Sequence, residues 1–250
     1  MLVPLDDFVG RCIYFTGNYD RKISSLCRRI VRPGDTVLDI GANMGVVALH
    51  LARLVGPNGV VHAFEPNPRM AELLTQSASK NGFENIRLHS TALGSSSAVL
   101  ELHIPRDNAG QGSFIYHKDD FDHFVVHAPV CTLTEIVKEL RINAIRLIKI
   151  DVEGFENEVL LGGKDVLNTL RPEFILLEAN EYMTASFSSV PVVQTLRQAG
   201  YLFMTIPKTM LSTRVARVDV NSNKHSPTHD ILAIPEEKYE EFSRQLNAAN

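Results

Sequence analysis

Two stretches of the chain concentrate residues that can do chemistry. "DIGANMG" (Asp39–Gly45) sets an acid, an amide and spaced glycines between an apolar run and a helical pattern, and "KIDVEGFE" (Lys149–Glu156) alternates a cation with carboxylates. Glycine at 41 and 45 admits positive φ and lets a ligand approach the backbone with no Cβ in between. The spacing is G-x-x-x-G, not the G-x-G-x-x-G that cradles a pyrophosphate. Asp39 also puts negative charge where a phosphate would be repelled, and that charge suits a cation, such as an amino-acid ammonium next to a sulfonium. Glu65, ending the run "VVHAFE", can accept hydrogen bonds from both hydroxyls of a ribose. A nucleoside without phosphate is thereby specified, and S-adenosylmethionine fits it. The competing account is structural: Gly41 and Gly45 permit tight strand–helix packing, and Glu65 is a solvated strand end. Asp39, Gly41, Gly45 and Glu65 together, in this order, favour binding.

At the second stretch, Lys149, Asp151 and Glu153 share a face if the strand continues extended. Charges ending an apolar strand are costly unless paired or open to a cleft. A sulfonium is already a good leaving group, so methyl transfer asks chiefly for alignment of donor methyl and acceptor oxygen. A carboxylate within reach can take the hydroxyl proton. Asp151 is expected at the methyl donor or acceptor, Glu153 is the second acid and Glu178 a third. A Lys149–carboxylate pair that merely closes the strand end is the alternative. No histidine joins these acids at ligand spacing, so no metal is expected. His123 and His127 would meet on a helix face, but "FDHFVVHAPV" reads as a strand or irregular segment, which leaves them, with His117, as surface or partly buried residues.

The elements that must position these groups alternate between apolar runs and helical periodicity, the mark of an α/β chain with a mostly parallel sheet. "TVLDI" is the first strand, followed by a helix with Met44, Val47, Ala48, Leu51 and Val55 on one face. "VVHAFE" is the second strand, and Asn67 before Pro68 caps the next helix. "NIRLHSTAL" supplies a third strand, "AVLELHI" an antiparallel excursion and "NAGQGS" (Asn108–Ser113) a loop forming a wall over the acceptor, with Ser113 a weak candidate contact. Thr132 and Glu135 fit a capping box. "AIRLIKI", "EFILLE", "YLFMTI" and "DILAIP" are the remaining strands, and Tyr239, Phe242 and Leu246 space a C-terminal helix.

The 250 residues suit one large domain, and 44% apolar with 22% charged residues is an ordinary globular balance. A net charge of −4 without a dense Lys/Arg patch argues against a nucleic-acid partner. No apolar run approaches a bilayer span, so no membrane partner is expected. Cys12, Cys27 and Cys131 are too few and too scattered for a disulfide framework, and "MLVPLDDFVG" carries acids where a signal peptide carries cations; a cytoplasmic location is expected.

"VLDIGANMGVVALHLA", "VHAFEPNP", "STALG", "LIKIDVEGFENEVLLGG" and "PEFILLE" together resemble the FkbM-like family of S-adenosylmethionine-dependent, class I methyltransferases, from about Pro33 to Pro235. The resemblance implies a Rossmann-like, seven-stranded, mostly parallel sheet with helices on both faces and its last strand antiparallel. It also implies S-adenosylmethionine as cofactor and methyl transfer to the oxygen of a sugar or natural-product hydroxyl. Asp39, Gly41, Asn43 and Gly45 match the first cofactor motif and Glu65 the ribose acid, with Asn67 beside it; Thr91 and Ala92 match the position near adenine, and Asp151 the donor end. Residues 1–32 are expected to form a helical cap and 33–250 the methyltransferase domain. The small-molecule hydroxyl acceptor stands against two other readings: methylation of RNA or protein, and a non-catalytic nucleoside-binding domain. The absence of an aromatic base clamp such as NPPY disfavours the former, the acids at 39, 65 and 151 the latter.

Overall fold

The computed structural model describes residues 1–6, 8–17, 21–106, 108, 110–115, 122–177, 187–206, 215–218 and 230–248. Glu178 and His117 lie outside the described residues. In chain order the elements are α1 (Phe8–Thr16), α2 (Arg21–Ile30), β1 (Thr36–Ile40), α3 (Val46–Val55), β2 (Val60–Phe64), α4 (Pro68–Lys80), β3 (Ile86–His89) and β4 (Ala92–Leu93). Then come β5 (Ala98–Pro105), β6 (His123–Cys131), α5 (Leu133–Glu139), β7 (Leu147–Ile150), α6 (Glu156–Gly162), α7 (Lys164–Thr169), β8 (Phe174–Leu177), α8 (Pro191–Gln198), β9 (Tyr201–Thr205), β10 (Ala216–Arg217), β11 (Ile231–Pro235) and α9 (Tyr239–Ala248).

The main sheet has the order β10-β9-β11-β8-β7-β1-β2-β3. Neighbours from β3 to β8 pair in parallel, and β11 lies antiparallel between β8 and β9. The seven strands and the reversed last strand agree with expectation; the short β10 adds an antiparallel edge beside β9. The chain runs outward through β1, β2 and β3, then returns to place β7 on the other side of β1. Ligands in open α/β sheets bind beyond the carboxyl ends of strands at such a reversal, so the ends of β1 and β7 are where the site must be.

Side-chain period places alternate residues on opposite faces. Leu38, Ile40, Ile148, Ile150, Ile175 and Leu177 join one core with residues of α5–α8. Val37, Leu147, Phe174 and Leu176 join a second with residues of α2, α3 and α9. Burial on both faces explains why β7 and β8 read as nearly unbroken apolar runs. The predicted caps form: Asn67 accepts from the Arg69 N–H at 3.1 Å, and Thr132 and Glu135 make a reciprocal capping box.

"NIRLHSTAL" is not one strand. Only Ile86–His89 pairs with β2, whose own pairing stops at Phe64; beyond that point the chain leaves the sheet. Ala92–Leu93 instead pair in parallel with β6, which with antiparallel β5 makes a second sheet of order β4-β6-β5. The segment holding His123 and His127 is thus a strand. Among the described residues, no helix is long and apolar enough to cross a membrane.

Candidate active site

The turns after β1 and β7 touch. Gly41 has φ 78°, and a Cβ there would lie 1.8 Å from the Asp151 carbonyl oxygen, so only glycine allows the contact. Gly45, at φ 92°, begins α3 where a Cβ would sit 2.7 Å from Leu74 of α4. Between them Asn43 is left-handed too, at φ 51°. Its amide bridges outward: Nδ2 donates to the Gly110 carbonyl at 3.1 Å, and Oδ1 accepts from the Met44 N–H at 2.7 Å.

These turns floor a cavity of about 340 Å³ whose wall includes Glu65, Asn67, Ala92, Asp151, Glu153 and Asp230. At one end the Glu65 carboxylate is fixed by backbone donors, Asn43 N–H to Oε2 at 2.7 Å and Asn67 N–H to Oε1 at 2.8 Å. Burial pushes this carboxyl up to about 7, against the pull of those two N–H groups. A carboxylate has about four lone-pair sites, so Glu65 keeps acceptor capacity toward the cavity. Asn67 caps α4 with its side chain and holds Glu65 with its backbone, serving both jobs at once.

At the other end Lys149 sits opposite Asp39 in the β1–β7 register. Its ammonium donates to the Gly41 carbonyl at 2.9 Å and lies 3.4 Å from Asp39 Oδ1 and 3.1 Å from Asp151 Oδ2. Burial disfavours the charged lysine, yet Asp151 and then Asp39 outweigh it and hold Lys149 above the usual lysine range. Asp39 is 0% exposed, and burial pushes its carboxyl upward against the Lys149 charge. It faces the ammonium from inside the protein and does not line the cavity. Its charge therefore acts on a ligand only through Lys149 and the Gly41 turn, not by the direct contact with a cation that its sequence position suggested.

β7 ends at Ile150, so Glu153 does not reach the site along an extended strand. It arrives through a turn in which its own φ is 50° and that of Gly154 is 98°. Glu156, almost fully buried, holds this turn by accepting from Val152 N–H at 3.3 Å and Gly154 N–H at 3.1 Å. Ser113 does not face the cavity as an acceptor contact; its hydroxyl donates to the Glu153 carbonyl at 2.9 Å. Burial first, then Asp151 and Glu156, push the Glu153 carboxyl up to about 7.

Ala92 lines the cavity, whereas the Thr91 hydroxyl is turned to the Pro129 carbonyl at 2.9 Å. Phe8 and Val9 of α1, Ile23 of α2 and Phe114 and Phe155, whose ring centroids are 5.1 Å apart, add apolar wall that no motif announced. Asp230, which starts the run "DILAIP", lines the cavity and pairs with Lys22 of α2 at 3.1 Å. Glu156 was missed as well, although an acid at the first position of a helix after a Gly-containing turn is a legible signal. His127 lies 3.8 Å from Glu101 on the second sheet, away from the cavity.

Residues 39–203 match the family model described as the methyltransferase FkbM domain. The 31-O-demethyl-FK506 methyltransferase FkbM of Streptomyces tacrolimicus is 30% identical over 162 residues, 54% of this chain and 62% of that protein. The 2-O-methyltransferase NoeI of Sinorhizobium fredii is 27% identical over 175 residues, 64% and 68% of the two chains. The match thus spans less than two thirds of the first relative's length. Among solved structures, Aeropyrum pernix fibrillarin with natively bound S-adenosyl-L-methionine overlays 84% of this chain and 72% of its own at 12% identity, with a TM-score of 0.46, a distant likeness. The family match begins at the acid buried behind the Gly41 turn and runs into β9, enclosing both ends of the cavity, and this chain belongs to the FkbM family of S-adenosylmethionine-dependent methyltransferases.

Proposed function

We propose that the protein transfers the methyl group of S-adenosylmethionine to a hydroxyl oxygen of a small molecule of sugar or natural-product type. The observation that carries this reading is one cavity with a ribose-type acceptor, the backbone-anchored Glu65, at one end and the Asp151–Glu153 acids at the other. Both relatives named above methylate oxygen by their names. In this reading Glu65 takes the ribose hydroxyls. Gly41, Asn43 and Gly45 shape the turn beneath the donor, backed by Asp39, and Asn67 fixes Glu65. Ala92 lies against the adenine with Thr91 behind it. The donor sulfonium lies toward Asp151, and Glu153 stands near the acceptor oxygen. Residues 1–32 cap the donor site, in keeping with Phe8, Val9 and Ile23 on the cavity wall. The free cysteines Cys12, Cys27 and Cys131 suit a reducing cytoplasm.

Thermal unfolding with S-adenosylhomocysteine and, separately, with nicotinamide cofactors tests the donor site, because a ligand that prefers the native state raises apparent stability. Transfer of labelled methyl to a panel of glycosides, polyketides and phenols then tests the acceptor. A stabilisation by nicotinamide alone, or labelling of RNA or protein in place of the panel, refutes the reading.

A further inference from the structure

The two acids at the chemical end of the cavity sit in opposite electrostatic settings. Asp151 has the Lys149 ammonium 3.1 Å away, and that ammonium is also committed to Asp39 and the Gly41 carbonyl. An ammonium has three donors, so this one is fully engaged between the two turns. A carboxylate held against a buried cation stays ionised and is a weak base.

Glu153 is different. Its left-handed backbone, φ 50°, is one that a glutamate avoids because its Cβ crowds the carbonyl. Glycine would take this conformation at no strain, as the next residue, Gly154, does. The chain keeps a carboxylate there and fixes it from three directions: Glu156 grips the N–H groups on either side, and Ser113 binds the Glu153 carbonyl. No described residue forms a hydrogen bond or ion pair with the Glu153 carboxylate itself. A strained, externally braced turn that delivers to a cavity an acid no described residue engages is what a proton acceptor requires.

We propose that Glu153 takes the proton of the acceptor hydroxyl, and that Lys149 is a positioning residue that keeps Asp151 a permanent anion and ties it to the Gly41 turn. The assignment rests on the methyl-transfer reading. The acceptor oxygen bonds to the donor methyl carbon as the carbon–sulfur bond breaks. The bonding pair passes to sulfur and leaves neutral S-adenosylhomocysteine, while the hydroxyl proton goes to Glu153 and later to solvent. A base poised near neutrality serves this step best, and the Glu153 carboxyl, raised to about 7, meets that condition. Among the described residues, the charged groups around it are Asp151 and Glu156 on its own turn, Lys149 on β7, and Glu65 and Asp230 across the cavity. The described residues of the 108–115 wall bring no charge.

Carboxyl-13C titration of the protein saturated with S-adenosylhomocysteine tests the division of roles without an acceptor. The resonance lost in E153Q should titrate near neutrality, and the one lost in D151N should stay ionised from about pH 5 to 9. In K149M the Asp151 resonance should begin to titrate within that window. If K149M does not fold, the two wild-type resonances still decide the matter. An Asp151 that titrates near neutrality, or a Glu153 ionised throughout, overturns the assignment. With a neutral glycoside acceptor, E153Q should lower kcat by about a hundredfold or more while KM for S-adenosylmethionine stays within about twofold. A kcat within about threefold of wild type overturns it too. Failure of wild-type protein to bind S-adenosylhomocysteine in a calorimeter is a separate result: it sinks the donor reading, and titration of the free protein still assigns the two acids.

Discussion

Glu65 offers the sharpest test of the donor site, because burial and ligand pull its proton in opposite directions. Buried at 7% exposure, its carboxyl is raised to about 7 despite two backbone donors. In the proposed donor site, ribose hydroxyls donating to the remaining lone pairs would select the ionised form. Below neutrality the donor must therefore displace a proton. S-adenosylhomocysteine affinity should fall about tenfold from pH 8 to pH 6 and about a hundredfold by pH 5. The free protein carries the mirror image. Since the folded carboxyl titrates above its unfolded value, the native state holds the extra proton between about pH 4.5 and 7. Stability contributed by Glu65 is present at low pH and falls through that window, by about 3 kcal/mol in all. Glu65→Gln removes the Glu65 share of both slopes and leaves that of Glu153, whose carboxyl is raised to a similar value. Its amide leaves one of the two N–H groups without an acceptor, at about 1–3 kcal/mol, but relieves the buried charge, so stability at pH 8 should move by less than about 2 kcal/mol. Donor affinity at that pH should drop about a hundredfold, the loss of charge-assisted hydrogen bonds. Calorimetric titration of both proteins from pH 5 to 8, with denaturant melts alongside, reads all of this. Glu153 titrates in the same range, so the variant is the essential control. A wild-type affinity flat across pH, or an affinity slope undiminished in E65Q, refutes the role.

Gly41→Ala places a methyl 1.8 Å from the Asp151 carbonyl oxygen at a φ of 78°, and should destabilise by roughly 3 kcal/mol or more in a denaturant melt; an unshifted midpoint would show that the two turns part easily. Asp151→Ala should abolish methyl transfer in a protein with native circular dichroism, since it removes one partner of Lys149 and the anion at the proposed donor end; near-normal turnover sinks that role. Asn67→Ala should lower stability by about 1 kcal/mol by deleting the cap on Arg69 while leaving the backbone bond to Glu65, so donor affinity should change less than about threefold. A collapse of donor binding in that variant would mean that the side chain itself reaches the ribose.

Local chemistry was legible wherever the signal is short in sequence. Asn67–Pro68 and Thr132–Glu135 cap their helices as read, because each cap is closed within three residues. The glycine turn was found because positive φ and close approach restrict residue type at a single position. "NIRLHSTAL" misled because a strand ends where its neighbour stops pairing, and β2 stops at Phe64, a fact about another segment. Lys149, Asp151 and Glu153 were singled out together, but extended alternation was the wrong reason: β7 ends first, and a turn braced by Glu156 delivers Glu153.

By itself the sequence determined the α/β class, the strand that ends at each acid and the identity of the groups at both ends of the site, since periodicity and turn chemistry are properties of neighbouring residues. Only the tertiary structure decided what surrounds those groups. It turned Asp39 inward to Lys149, lined the cavity with Phe8, Val9 and Ile23, and paired Asp151 with the Lys149 ammonium, while no described residue pairs with the Glu153 carboxylate. Charge state and exposure depend on distances across strands more than a hundred residues apart in the chain, and no local pattern carries those distances.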